Sequence, residues 1–541
     1  LIVSESIFNH IVANIDGGAI NGNNIVVSSS TFIDTSAKSN GGVIWGNGVS
    51  VYNSEFINTS AGSSGGVIYG GCSVSVNDSK FTNTKANNGK YVYSEGCVTL
   101  SCNDYDGKTI YTNDNVIGNP IINFNCTFND LANVISAGGN ISLTRDYIQS
   151  DSHGEIIINK DTIINGNGHT IDAQGKSRIF SIANGVNVTI KNITFTNGKI
   201  SEMDSNRVGG AIYAMGCSLT VIDSTFINTI VVGSSSKGGA IYGGSGDVTV
   251  INSSFINTKA RDYGGAIYIS ESCSSFNVID STFKNTNSDS AGAILISDTG
   301  RSFTIFGSTF TNVTANNRGG GIYNLNSGNV TVINSTFTNN AVGSDCGGAI
   351  YQVSGILTVI NSTFNSCGVP NKGSAIYNLG NAFLIGSSFI NSNAIDSGGA
   401  IYNSGSVVVT NSSFINIKAG AFGGAIFNIG SATVFGSTFI NITTTSSVIG
   451  GGGAISNYNA GTLTVVNSSF TNISSARDGG AIYNGDPNAV VANSSFNNIS
   501  SGRDGGAIYS VGGIGTMVNS IFSHTSAVRY GGAIYVGGSV D

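Results

Sequence analysis

The stretch Gly238-Gly-Ala-Ile-Tyr-Gly-Gly-Ser-Gly-Asp-Val-Thr-Val-Ile-Asn-Ser-Ser-Phe-Ile-Asn-Thr258 decides the fold. Its opening phrase returns in thirteen copies between Gly209 and Tyr535, at intervals of 25 to 29 residues. The fourth residue is Ile in every copy, whereas the glycine pair lapses at Ala291 and Ser374. A Phe follows each of the first twelve copies, from Phe226 to Phe522, and five residues before it stands only Val, Ile, Leu or Met. Short β-branched runs that alternate apolar with Ser or Thr read as strands. Three residues before each Phe, as at Asp223, Asn252 and Gly307, only Gly, Asn and Asp occur. These residues tolerate positive φ, so one left-handed residue turns the chain between two strands. A self-similar period of this size signals a solenoid whose repeats bury their apolar faces only against neighbours. The expected fold is all-β: a right-handed parallel β-helix with three strands per coil of about 24–29 residues, its hand following the crossover rule.

Working outward, residues 1–115 form a first β-helix block. There Gly17, Gly41 and Gly65 open the phrases 24 residues apart. Residues 116–208 read as irregular coils or a cap that begins a second array, with a short capping helix near 129–138 ended by glycines. Residues 209–541 are the regular Gly-Gly-Ala-Ile-Tyr repeats.

Composition narrows the function. Seventy-six glycines against three prolines without a Gly-X-Y period exclude collagen, and a charged fraction of 10% argues against a disordered chain. A net charge of −7 without basic clusters speaks against nucleic-acid binding. No apolar run approaches the ~18 residues of a membrane span. The segment reads as an internal piece of a longer protein whose signal and anchor lie elsewhere. Its eight cysteines are scattered singly. Cys72 and Cys97 fall one repeat apart, near enough to bond, while Cys217 and Cys273 are too far apart to bridge directly. Buried small residues are the favoured reading.

The paired signals Gly-Gly-Ala-Ile and Phe-x-x-Asn resemble those of chlamydial polymorphic outer-membrane proteins, shifted here to Phe-x-Asn in ten of twelve coils, with Ser366 and His524 as exceptions. The longer phrase Val-Ile-Asn-Ser-Thr-Phe-x-Asn, followed by Gly-Gly-Ala-Ile-Tyr-Asn, is similar to adhesin-like proteins of methanogenic archaea. So is the stretch Ile163 to Asp172. Both resemblances imply a secreted, extracellular protein at the cell surface that adheres to glycans or proteins of another cell. Neither supplies a catalytic residue.

Among candidate sites, the asparagines after Phe (Asn228, Asn257, Asn285, Asn312, Asn339, Asn391, Asn416, Asn441, Asn472 and Asn498) are expected to stack as a structural amide ladder. The aromatic after Ile is Tyr213, Tyr242, Tyr268, Tyr323, Tyr351, Tyr377, Tyr402, Phe427, Tyr483, Tyr509 and Tyr535, with Leu295 and Ser456 in the remaining copies. If Ile points inward, alternation sends these rings outward as a stripe. Such a stripe is either a binding surface or a self-stacking ladder that stiffens the rod. Ser456 suggests that a coil accepts Ser at this place. Arg477-Asp478 and Arg503-Asp504, with Arg261-Asp262 in the same placement, are expected to form a surface charge ladder of little energetic weight. Glu155, Asp161 and Asp172 near His169 are the one acid-rich spot, without the spacing of a calcium loop. Sequons such as Asn252, Asn334, Asn361 and Asn411 make a glycoprotein with a few modified sites plausible.

Pectate lyases and polygalacturonases share the expected fold. The polygalacturonase signatures are absent, however, and glycoside hydrolysis needs two converging carboxylates. No catalytic residue, metal or cofactor is assigned. The reading is a non-enzymatic, secreted, adhesin-like stalk or binding segment. A structural spacer or sheath or filament subunit, self-associating, is the alternative, and a carbohydrate-active enzyme on a pectate-lyase-like β-helix comes third.

Overall fold

The computed structural model describes residues 1–101, 103–105, 116–123, 126–149, 153–299, 301–369, 371–458, 461–485 and 489–537. The chain is a parallel β-solenoid, nearly all β with one short helix. It divides into two compact units, Leu1–Gly198 and Lys199–Asp541.

One coil of the second unit shows how the sequence makes the turn. Gly238 takes φ 66°, and the chain enters Ile241–Gly244 on a first face. A short loop leads to Asp247–Ile251 on a second face. Asn252, at φ 46°, bends the chain into Ser254–Ile256 on a third face. The bend before Phe is left-handed in all twelve coils, as the Gly, Asn and Asp residues predict. A further bend was not foreseen. The Asn after Phe is itself left-handed, at φ 55° for Asn257, and so are Ser366 and His524 where Asn is missing. The first position of the phrase is left-handed even at Ala291, with φ 61°. Its second glycine answers a different need, because a Cβ on Gly424 would stand 2.0 Å from the Gly453 carbonyl oxygen of the next coil. Ser374 meets the same crowding by donating its hydroxyl to the Gly399 carbonyl.

Every coil pairs in parallel with the next, like over like: Ile241 with Ile267, Val250 with Val278, Phe255 with Phe283. The Phe rings from Phe226 to Phe522 form one file, each 4.6–4.9 Å from the next and within 7° of parallel. These rings fill the core with the inward Ile and Val columns, and nearly all are fully buried.

In the first unit, Phe32, Phe56 and Phe81 repeat the file at 5.2 Å. Here the first two faces merge. Ile20–Ser28 and Ile44–Tyr52 run through nine residues without the loop, which accounts for the shorter 24-residue period. The expected helix is Phe128–Ile135, closed by a capping box between Thr127 and Asp130. It buries Phe128, Leu131, Val134 and Ile135. Lys160 Nζ satisfies the carbonyl of Ser136 beyond its C-terminus at 2.9 Å. The stretch expected to be irregular carries paired strands from Gly139 onward. Ile156–Ile158 lies on Phe180–Ile182, and Thr162–Asn165 on Asn187–Lys191. These coils lack the Gly-Gly phrase because other bends, at Asn167, Asn192 and Asn197, turn them.

Cys72, Cys217, Cys273, Cys346 and Cys367 are free thiols, and Cys126 is disulfide-bonded. The Cys97 side chain, expected beside Cys72, lies outside the described residues, as does the expected boundary at residue 115.

Phe364 is fully buried between Phe337 and Phe389. Phe364→Ala should destabilise its neighbourhood by about 3–5 kcal/mol. Denaturant unfolding checks this, with the outward Thr363→Ala as a reference that should change stability by less than about 0.5 kcal/mol.

Candidate interaction surface

The aromatic row follows from the alternation of the first-face strands. Ile241 and Ile267 point into the coil, so Tyr242 and Tyr268 point out of it. The rings then stack on one another: Tyr242–Tyr268 at 5.3 Å and 3°, Tyr377–Tyr402 at 4.6 Å and 5°, Tyr509–Tyr535 at 5.3 Å and 17°. Tyr323 and Tyr351 meet edge to face across 5.0 Å. The row is covered further than alternation alone predicts. Tyr268, Tyr323, Tyr351, Tyr402 and Phe427 are 4–7% exposed, and Tyr213, Tyr242, Tyr377, Tyr483, Tyr509 and Tyr535 are half-buried. An openly exposed stripe is therefore corrected to a stacked, largely covered one. The residue before the phrase folds over the rings in three coils: Lys237 lies above Tyr268, Arg318 above Tyr351 and Lys372 above Tyr402, with ring-centroid distances of 4.9, 5.6 and 5.2 Å. Cys346 packs among Tyr323, Tyr351 and Leu295.

Ser456 does not show that a coil tolerates Ser in the row. It is fully buried, and the Phe422 and Tyr458 rings occupy the gap, with Phe422 lying 5.2 Å from Tyr458 and 5.7 Å from Phe427. Two aromatics outside the repeat phrase replace the one that is missing.

The expected amide ladder lies on the third face and is exposed. Asn257 Nδ2 donates to Asn228 Oδ1 at 3.2 Å, Asn285 to Asn257 at 3.2 Å, Asn312 to Asn285 at 3.4 Å and Asn339 to Asn312 at 3.3 Å. Asn365 stands in where Ser366 interrupts, accepting from Asn391 at 3.2 Å. The ladder resumes through Asn416, Asn441, Asn472 and Asn498.

Two buried ladders escaped the sequence reading. The residue after Tyr forms one of them: Asn378 Nδ2 donates to Asn403 Oδ1 at 2.8 Å, Asn403 to Asn428 at 2.7 Å and Asn428 to Asn457 at 2.7 Å, all fully buried. The second runs through the serine two residues before each Phe. Ser335 N donates to Ser362 Oγ at 3.1 Å, while Ser335 Oγ donates to the Ile333 carbonyl at 2.9 Å. This serine is invariant in all twelve coils, and that invariance was the available signal.

The Arg–Asp pairs are not a surface ladder. Asp478 and Asp504 are buried, and Arg503 Nε reaches both, at 3.2 and 3.3 Å. Arg529 Nη2 meets Asp504 at 2.7 Å and, with Arg503, holds that carboxyl below the usual carboxylate range. Asp262 instead accepts from Ser236 N at 3.1 Å. The acid-rich spot also resolves into separate bonds. Glu155 pairs with Arg178, His169 lies 3.3 Å from Asp146, Asp161 accepts from Asn187 N and Asp172 from Asn197. Among the described residues, no group of three or more His, Cys, Asp or Glu is placed to hold a metal ion, and no helix is long and apolar enough to cross a membrane.

Two stretches, residues 467–485 and 493–511, match the Chlamydia polymorphic membrane protein repeat. They are consecutive coils, each running from the bend before Phe to the first-face strand. No curated protein matches the chain.

Burial pushes the Tyr351 phenol up to about 12, and it also raises Tyr242, Tyr268, Tyr402, Tyr483 and Tyr509. An unfolded chain ionises its phenols near ~10. The row's contribution to stability is therefore whole below pH ~10 and declines as pH rises from there through about 12. A phenolate absorbance titration should show a class of tyrosines ionising only together with loss of the β circular-dichroism signal. Ionisation of every tyrosine near ~10 with the fold intact would contradict the covered row.

Proposed function

We propose that this chain is an extracellular, cell-surface adhesin-like segment of archaeal origin, without enzymatic activity, which holds binding groups along a stiff β-solenoid. The observation that carries this reading is the match of two consecutive coils to the Chlamydia polymorphic membrane protein repeat. The resemblance of the longer phrase to adhesin-like archaeal proteins points the same way. The partners are surface glycans or proteins of another cell, and the half-buried tyrosines of the row, such as Tyr213, Tyr242 and Tyr377, are the contact groups. Ring edges that remain open beside Lys and Arg side chains suit neutral or weakly acidic sugars and protein surfaces. A few glycans on the bend asparagines, Asn334, Asn361 and Asn411 among them, accord with an extracellular location, and all three are exposed. The non-enzymatic reading rests on the separate bonding of Glu155, Asp161 and Asp172, which leaves no convergent carboxylate pair at that spot. A spacer or a sheath or filament subunit is the second reading, favoured by the extent to which the ladders spend their polar groups on one another.

A glycan array and a whole-cell binding assay on the full chain test this, beside a Tyr213→Phe/Tyr242→Phe/Tyr377→Phe variant that keeps the ring stack and loses three hydroxyls. The expected result is saturable binding by the wild type, weakened about tenfold, or ~1.4 kcal/mol, in a variant of unchanged melting temperature. Absence of binding by the wild type would favour the structural reading.

A further inference from the structure

The second face of the second unit has an unusual outer surface. Its twelve strands run from Ser218–Ile222 to Thr516–Val518. The last outward residue of each strand is apolar in eleven of the twelve coils, with Thr410 the exception. Phe306, Ile385 and Phe435 are 37–42% exposed there, Ile333 and Ile360 continue the column half-exposed, and Phe383 is 41% exposed in the column beside it. The neighbouring outward column is mostly Thr. From Ser275 to Val518 no strand of this face contains Lys, Arg, Asp or Glu; Asp247 on the preceding strand accepts from Ser275, and Asp280 and Arg301 sit at the margins. The other faces differ. The third presents the exposed Asn ladder and exposed Lys259, Lys284 and Lys418, and on the first the outward rings are covered by their neighbours.

Monomeric proteins rarely leave a contiguous apolar surface of more than a few hundred Å² open to water. The ten uncharged strands from Ser275–Ile279 to Thr516–Val518, three to five residues long and ~4.8 Å apart, make a face of about 700 Å² in which the apolar column runs beside the Thr column. That is about what one partner contributes to a standard interface, ~800 Å² a side. The patch is neutral, so charge complementarity selects neither nucleic acid nor an acidic polymer as its occupant. It repeats along the coil axis, so a second copy of the same surface matches it in length, width and polarity. We propose that the second face is a homotypic interface, through which two copies of this chain pack these sheets front to front, as the sheets of a sandwich pack ~10 Å apart. The patch and the tyrosine row lie on different faces of the coil, so the pairing leaves the row open and holds whether or not the row binds a ligand.

Sedimentation velocity of the full chain tests the proposal. The wild type should sediment as a dimer at micromolar concentration, and Phe306→Lys/Phe383→Lys should sediment as a monomer at the same concentration. The third-face variant Ile390→Lys/Ile415→Lys should remain dimeric. Hydroxyl-radical footprinting of the wild type needs no variant. Oxidation of Phe306, Phe383 and Phe435 should fall several-fold between dilute and concentrated samples, while that of Tyr213 should not change. A wild type that stays monomeric up to its solubility limit would overturn the proposal. Concentration-independent footprints at the three phenylalanines would overturn it as well. A monomer protected at these residues only by a neutral polysaccharide would also overturn it, assigning the face to a glycan.

Discussion

Everything in this molecule depends on the parallel backbone ladder between successive coils. Because each strand pairs with its counterpart one coil away, a side chain meets the residue that holds the same place in the next repeat, ~4.8 Å distant. Residues that attract their own kind are therefore retained column by column: Phe on Phe through the core, Asn on Asn at the bend, Ser on Ser at the corner. Like charges in one column would repel at the same spacing. The low charged fraction of 10% is one consequence. The placement of Arg503 between Asp478 and Asp504 is another, since two buried carboxylates in adjacent coils persist only with a cation reaching both.

The corners answer the polar side of the same constraint. A solenoid turns sharply several times in each coil, and every turn leaves peptide groups that the strand ladders do not satisfy. The serine two residues before Phe takes one donor from the coil behind and returns its own hydroxyl to the strand it has just left. The Asn after Tyr spends one amide on the next coil and on the loop carbonyl at its own level, as Asn403 does with Asn428 and Gly405. These ladders satisfy carbonyls of the glycine-rich loops of varied length that join the first two faces, as at Gly380, Gly405 and Gly430. The interval between phrases varies from 25 to 29 residues while the strand register holds.

The sequence made the faces of the coil legible and hid much of what joins them. The spacing of Ile241, Val250 and Phe255 was enough for the fold, because apolar alternation and a fixed period have few other solutions. The bend at Asn252 was legible because only Gly, Asn and Asp occur in its column. The bend at Asn257 was read as a ladder alone, since a stacked amide and a left-handed backbone favour the same residue. Alternation placed Tyr242 outside the coil correctly, but it carries no information about what folds over an outward ring. Lys237 and Cys346 cover the row from a connection whose path periodicity does not predict. Ser456 misled for the same reason, since Phe422 and Tyr458 fill its place from outside the phrase. The apolar column of Phe306 and Ile385 lay open in the sequence, masked by its resemblance to the core columns beside it.

A surface adhesin-like role suits such a molecule because length is added without a change of fold, each coil repeating the bonds of the last. Every coil advances the chain by one strand spacing, whatever its residue count. Nitroxide distances on the third face measure this directly, with Cys72→Ser removing the thiol exposed among the described residues. Labels at Thr225→Cys with Thr336→Cys span four coils, and at Thr225→Cys with Thr438→Cys eight. Narrow distributions at about 19 Å and about 38 Å are expected. Broad distributions, or a ratio far from two, would contradict a fixed advance per coil.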